Sequence, residues 1–159
     1  MMNTVDLRLA LPYLLDPAIK WAESKASEVR TKGDSLGHTD LRIAMKVGVR
    51  RPDLIRTLIV DELPLPDHTR LRDAALQTGL LGPTMIGLTL GYSILVVRGN
   101  LNSRLLAHEC RHVYQYESYG SIADFLPVYL EQIASVGYDS APFEKDARAH
   151  ELLAGRLIL

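Results

Sequence analysis

Apolar residues recur along this chain with two different periods, and the periods predict a mixture of helices and strands. Over residues 12–31, Leu14, Leu15, Ala18, Ile19, Ala22 and Ala26 keep the three-and-four spacing of a helix with one apolar face. Residues 33–37, bounded by Gly33 and Gly37, break that run, and Thr39 is placed to cap a second helix over 40–47. The apolar run 55–60 predicts a strand, ended by Leu63-Pro64-Leu65-Pro66 because proline cannot join a sheet interior. A helix over Thr69–Thr78 is closed by Gly79. Residues 80–97 carry no charge and approach membrane-spanning length, yet Gly82, Pro83, Gly87 and Gly91 interrupt them and Thr84, Thr89 and Ser93 are polar. Two strands near 85–90 and 93–98, joined by a turn at Gly91-Tyr92, fit better than a membrane span. Three helices follow: one entered at Asn102-Ser103 and running to Tyr116, one over 122–135, and one started by Pro142. The order reads as α+β, with helices segregated against a small sheet.

Composition narrows the function classes. At 159 residues the chain has the length of one domain, and 47% hydrophobic residues are enough for a core. A net charge of −1 argues against an electrostatic nucleic-acid binder. Arg42, Lys46, Arg50, Arg51 and Arg56 alternate with apolar residues and read as a solvated helix face. The single cysteine, Cys110, excludes an intramolecular disulfide and falls on the apolar side of its helix, as a small buried hydrophobe does. The first eight residues mix acid and base and lack the layout of a secretory signal, so a cytoplasmic location is expected. His38 and His68 have no spaced partner and read as surface residues, and the apolar end 157–159 is suited to docking on the domain or on another chain.

The chemistry concentrates at His108-Glu109-Cys110-Arg111-His112. Residues four apart on a helix share a face, so His108 and His112 can hold one Zn²⁺ while Glu109 reaches the water on the open metal position. Leu106, Cys110, Val113 and Tyr114 form the opposing apolar stripe that would anchor this helix. The bland alternative is a helix carrying two surface histidines. A catalytic zinc usually has a third protein ligand. On the helix started by Pro142, Glu144, Arg148 and Glu151 share one face, while Asp146 and His150 point elsewhere. Glu144 is therefore the candidate ligand, with Arg148 and Glu151 around it; otherwise it is an acid placed to meet the helix dipole.

His108-Glu109-x-x-His112, Gln115-Tyr116, Gly120 and the Pro142-Phe143-Glu144 segment together resemble the gluzincin metallopeptidases. More narrowly they are similar to the small bacterial HExxH metallopeptidases of the DUF4157-like type, over residues 80–155. Arg148 stands where related gluzincins often carry Asp. The resemblance implies a zincin-like zinc-binding domain over residues 51–159, with residues 1–50 as an N-terminal helical region of the same domain or a small appendage. It also implies that the outer strand before the ligand helix borders the cleft and pairs with an extended peptide.

The expected activity is zinc-dependent peptide-bond hydrolysis, with His108, His112 and Glu144 as ligands, Glu109 as general base and a peptide or protein as substrate. Tyr138 ranks before Arg148 and His150 as the donor to the oxyanion, although a plain rim tyrosine is its other reading. Two alternatives stay open: a catalytically silent zinc-binding scaffold or partner-binding module, and a motif that holds no metal. An intact Glu109 favours catalysis, because a purely structural site needs no base.

Overall fold

The computed structural model describes residues 4–158, with side chains from 7 to 151. Its elements run α1 (Thr4–Lys32), β1 (Asp34–Ser35), α2 (His38–Lys46), β2 (Arg56–Val60), α3 (Thr69–Thr78), β3 (Gly87–Leu90), β4 (Ser93–Val97), α4 (Ser103–Tyr119), α5 (Ile122–Val136) and α6 (Pro142–Ile158). Among the described residues the fold is α+β, with six α-helices and one four-stranded mixed sheet in the order β1-β2-β4-β3. β2 runs parallel to β4, and the other two pairs are antiparallel. Among the described residues, no helix is long and apolar enough to cross a membrane.

The pleat of the β3–β4 hairpin decides what lies on each face. Ile94 and Val96 pack with Ala107, Cys110 and Val113 of α4 and with Ile43 of α2. Leu90 and Leu95 face the other way, toward Ala22 and Ala26 of α1 and Phe125 of α5. The two sets alternate along the strands, as a period of two requires. Ser93, fully buried, joins the second set and donates from its hydroxyl to the Ala26 carbonyl at 2.8 Å. The sheet is therefore covered on both faces, which explains why 80–97 carries no charge without being a membrane segment.

Several expected boundaries move. α1 starts at Thr4 rather than Pro12, and both Pro12 and Pro17 lie inside it. Each proline removes one backbone N–H from the helical ladder. The buried stripe Leu7, Ala10, Leu11, Leu14, Ala18 and Ala22 extends across both prolines, and its burial outweighs the lost bonds. α2 starts at His38, capped by Gly37 with no side-chain bond, so Thr39 lies within the helix rather than capping it. The expected break over 33–37 contains the short strand β1, which pairs with Arg56 and Thr57. Of the basic residues assigned to one helix face, only Arg42 and Lys46 lie on a helix; Arg50 and Arg51 present backbone N–H groups to the Glu117 carboxylate at 2.9 and 3.0 Å. His68 caps α3, its Nδ1 accepting from the Leu71 N–H at 3.2 Å. The side chains of 157–159 lie outside the described residues.

Candidate metal and catalytic site

α4 is set by local signals. The Asn102 side chain accepts from the Leu105 N–H at 2.8 Å, and Gly120 ends the helix at φ +94. Those caps satisfy helix-end groups that have no partner in the helix itself. One face of α4 buries Leu106, Cys110 and Val113 against the sheet and α2. The face toward α6 carries His108 and His112 in edge-to-face contact, with ring centroids 4.9 Å apart. Both histidines are buried rather than on the surface.

α6 brings Glu144 onto this pair. Its Oε1 lies 3.3 Å from His108 Nε2 and its Oε2 lies 3.0 Å from His112 Nε2. Three donor atoms, one from each residue, lie within 4.8 Å of one another, a group able to hold a metal ion. Tetrahedral bonds of roughly 2.0–2.1 Å place ligand atoms about 3.3 Å apart, so the two Glu144 distances fit a shared cation. An orphaned atom supports the same conclusion: Glu144 Oε1 is buried without a hydrogen bond, and Glu144 as a whole is only 2% exposed. A carboxylate buried so deeply needs a cation or donors.

The electrostatics show the same demand for positive charge. Burial works to raise the Glu144 pKa, but the neighbouring His108 and His112 imidazoles and the Tyr129 hydroxyl outweigh it and hold the carboxyl well below the usual range. Burial likewise works against charged His112, but the Glu144 carboxylate, with Glu109 and Gln115 behind it, carries its pKa up to about 9. Without a metal the site thus draws a proton into the position a cation would neutralise.

A second layer of hydrogen bonds fixes these side chains. Gln115 donates from Nε2 to the Phe143 carbonyl and to Asp146 Oδ2, each at 3.0 Å. Both partners are acceptors, so the amide oxygen must be the atom facing His112 Nδ1 at 2.8 Å. Nδ1 therefore carries the proton that it donates to Gln115, and Nε2 is the nitrogen turned to Glu144. Asp146 is held in turn by Arg111 Nε at 2.7 Å, and Arg111 donates from Nη1 to the Val47 carbonyl at 2.7 Å. Burial raises the Asp146 carboxyl, and Arg111 and Gln115 outweigh it to hold it below its ordinary value. Glu151 Oε1 lies 3.6 Å from His108 Nδ1. Tyr129 donates its hydroxyl to Glu144 Oε2 at 2.7 Å.

Glu109 points into the same space. The Thr89 hydroxyl donates to Glu109 Oε1 at 2.9 Å, leaving Oε2 3.9 Å from His108 Nε2. A Cβ added at Gly87 would come 3.1 Å from Oε2, so β3 approaches this carboxylate as closely as it does because residue 87 has no side chain. His108, Glu109, His112, Glu144 and Tyr138 all line one cavity of about 400 Å³. Burial, then the charges of Glu144 and Glu109, push the Tyr138 phenol pKa upward, so it stays protonated and able to donate.

No family model, curated protein or solved structure matches this chain. These side chains therefore carry the functional reading. The structure brings His108, Glu109, His112, Glu144, Tyr138 and Arg148 to the lining of one cavity, with Arg148 donating from Nη2 to the Asp139 carbonyl. Arg148 lines the cavity with Glu144 and Glu151 while bonding the Asp139 carbonyl, and Asp146, expected to point elsewhere, stands behind His112 through Gln115. Gln115 was legible as a same-face neighbour three residues after His112. Thr89 and Tyr129 arrive from other elements and left no signal in the local pattern.

Proposed function

We propose that this chain is a small zinc-dependent peptidase with a zincin-like site. The observation that carries the reading is the convergence, in one cavity, of three metal-capable donors and a further buried carboxylate, Glu109, outside that donor set. His108, His112 and Glu144 would hold the Zn²⁺, which would supply Lewis acidity toward the scissile carbonyl and the attacking water. Glu109 Oε2 takes the proton of the attacking water and hands it to the leaving amine, while Thr89 keeps Oε1 fixed. Tyr138 donates to the carbonyl oxygen as negative charge develops there. β3 ends the sheet and lines the cavity, where an extended peptide can add as a further strand. The same motif and ligand helix carry the gluzincin resemblance.

The test is metal content together with one substitution. Purified protein, dialysed against metal-free buffer and titrated with zinc, is expected to hold one ion per chain by elemental analysis. Glu109→Gln keeps the shape of the side chain and removes the base. It should retain zinc and lose hydrolysis of a quenched fluorescent peptide library by about 10²–10⁴-fold. Wild-type cleavage rates in Glu109→Gln, or failure to bind zinc at neutral pH, would sink the proposal. Stoichiometric zinc with an inert wild type would leave a non-catalytic metal-binding scaffold.

A further inference from the structure

The cavity extends well beyond the metal-capable group. Besides α4 and α6 it is lined by α1, α3 and α5, through Trp21, Ala22, Leu71, Ala75 and Leu126, and by Leu81 just after α3; these form its apolar arm. Every acidic, basic or histidine side chain lining the cavity comes from α4, α6 or Asp139 just before α6; α1, α3 and residues 80–90 contribute none. A charged group placed in this arm would lose its water and find no partner. At about 400 Å³ the cavity falls in the range of about 300–1,000 Å³ that houses a drug-sized ligand, more than a single side chain requires.

The sheet supplies a ruler for what enters. Residues 84–90, including all of β3, line the cavity, and β3 has a strand on one side only. The two faces of the hairpin differ: Thr89 turns toward Glu109 on α4, while Leu90 packs with Ala22 of α1. On a strand added to β3, successive side chains alternate between these two faces. Every second residue would then point toward the apolar arm. Ala22 of α1 and Ala75 of α3 are small residues in its lining, where larger ones would occupy the space.

We propose that the substrate of this site is an extended peptide with large apolar residues at alternate positions, docked along β3 with those side chains in the arm lined by α1, α3 and α5. This rests on the peptidase reading for its chemistry, but its binding step can be measured alone. Trp21 is the chain's single tryptophan and lines the arm, so its fluorescence reports what enters. The experiment titrates Glu109→Gln protein, with and without zinc, with capped eight-residue peptides carrying either Leu or Ser at alternate positions. The Leu peptide should shift Trp21 emission saturably and bind at least about tenfold more tightly, the ratio expected from burying one large apolar side chain or more. Ala22→Phe on α1 and Ala75→Leu on α3 should each abolish that preference while zinc content stays at the wild-type level.

Equal affinity for the two peptides overturns the proposal, and this comparison uses no wall variant, so it stands even where Ala22→Phe fails to fold. An unchanged Leu preference in correctly folded Ala22→Phe and Ala75→Leu overturns the placement in the arm. A shift produced by dodecanoate but by neither peptide would assign the arm to an acyl chain and overturn the peptide proposal. Failure of the peptidase reading appears elsewhere, as missing zinc or missing hydrolysis, and leaves the Trp21 titration readable. Hydrolysis that is indifferent to Leu or Ser would remove this proposal and spare the peptidase.

Discussion

His112 is turned toward Glu144 by a residue that touches neither Glu144 nor a metal. Gln115 can present only its carbonyl oxygen to His112 Nδ1, because its NH₂ group is committed to Phe143 and Asp146. Replacing Gln115 with Leu removes that acceptor and leaves the imidazole free to choose the wrong tautomer. Zinc affinity, measured by competition with a chromophoric chelator, should fall by about 10–100-fold, the usual effect of losing an outer-shell partner. Asp146→Ala should fall in the same range, because it releases both Gln115 and Arg111. Glu144→Ala should be far worse than either, since it removes a donor from the cage itself. Equal losses in all three variants would mean that Glu144 is no more a ligand than Asp146.

At the scale of elements, α1 offers a sharp contrast between local propensity and packing. Pro12 is exposed, well inside a helix of 29 residues, and leaves the carbonyl one turn earlier without its helical donor. Nothing in the buried stripe of α1 depends on the Pro12 ring. Pro12→Ala should therefore stabilise the protein by about 1–3 kcal/mol, read as a higher midpoint in urea at unchanged slope. Lower stability in this variant would show that the ring is needed to stiffen or orient the helix. α4 is the opposite case, where caps, apolar stripe and ligand face agree with one another. Such agreement makes a helix readable from its own residues. The same reasoning explains why α2 shifted by two residues: Gly37 provides an extended cap without any side-chain signal.

The whole molecule couples its folding to the charge at the site. In the metal-free protein the His112 pKa is raised from 6.5 to about 9, so its pairing with Glu144 contributes fully below pH 6.5 and is lost as pH rises through about 9. Glu144 is shifted the other way: its contribution is present above its ordinary pKa of 4.5 and is lost as pH falls through the lower folded value. Chelated protein should thus be most stable between about pH 4.5 and 6.5, and its melting temperature should decline toward pH 9. Zinc replaces the proton and needs neutral imidazole, so the loaded protein should melt higher than the chelated one at neutral pH and lose that alkaline decline. Calorimetric melts across this range, with and without chelator, check both. A chelated protein that melts at one temperature from pH 6 to 9 would contradict the His112–Glu144 pairing.

Local sequence determined those features whose physics is itself local. The HExxH spacing put two imidazoles on one helix face, Asn102 and Gly120 bounded that helix, and Gly79 and Gly91 ended one element and turned another. The two residues of helix between Glu144 and Asp146 meant that only one of them could face the histidine pair. Tertiary structure alone decided how far α1 runs past its prolines, that β1 exists, and which side of α6 meets α4. It also decided that Thr89 holds Glu109, that Tyr129 meets Glu144, and that Asp146 works through Gln115. Each of these depends on groups from separate elements meeting in space, and a periodic pattern within one element carries no record of the partner it will meet. The apolar cavity belongs to the same class: its walls come from α1, α3, β3 and α5, and only the packed chain leaves that space beside His108, His112 and Glu144.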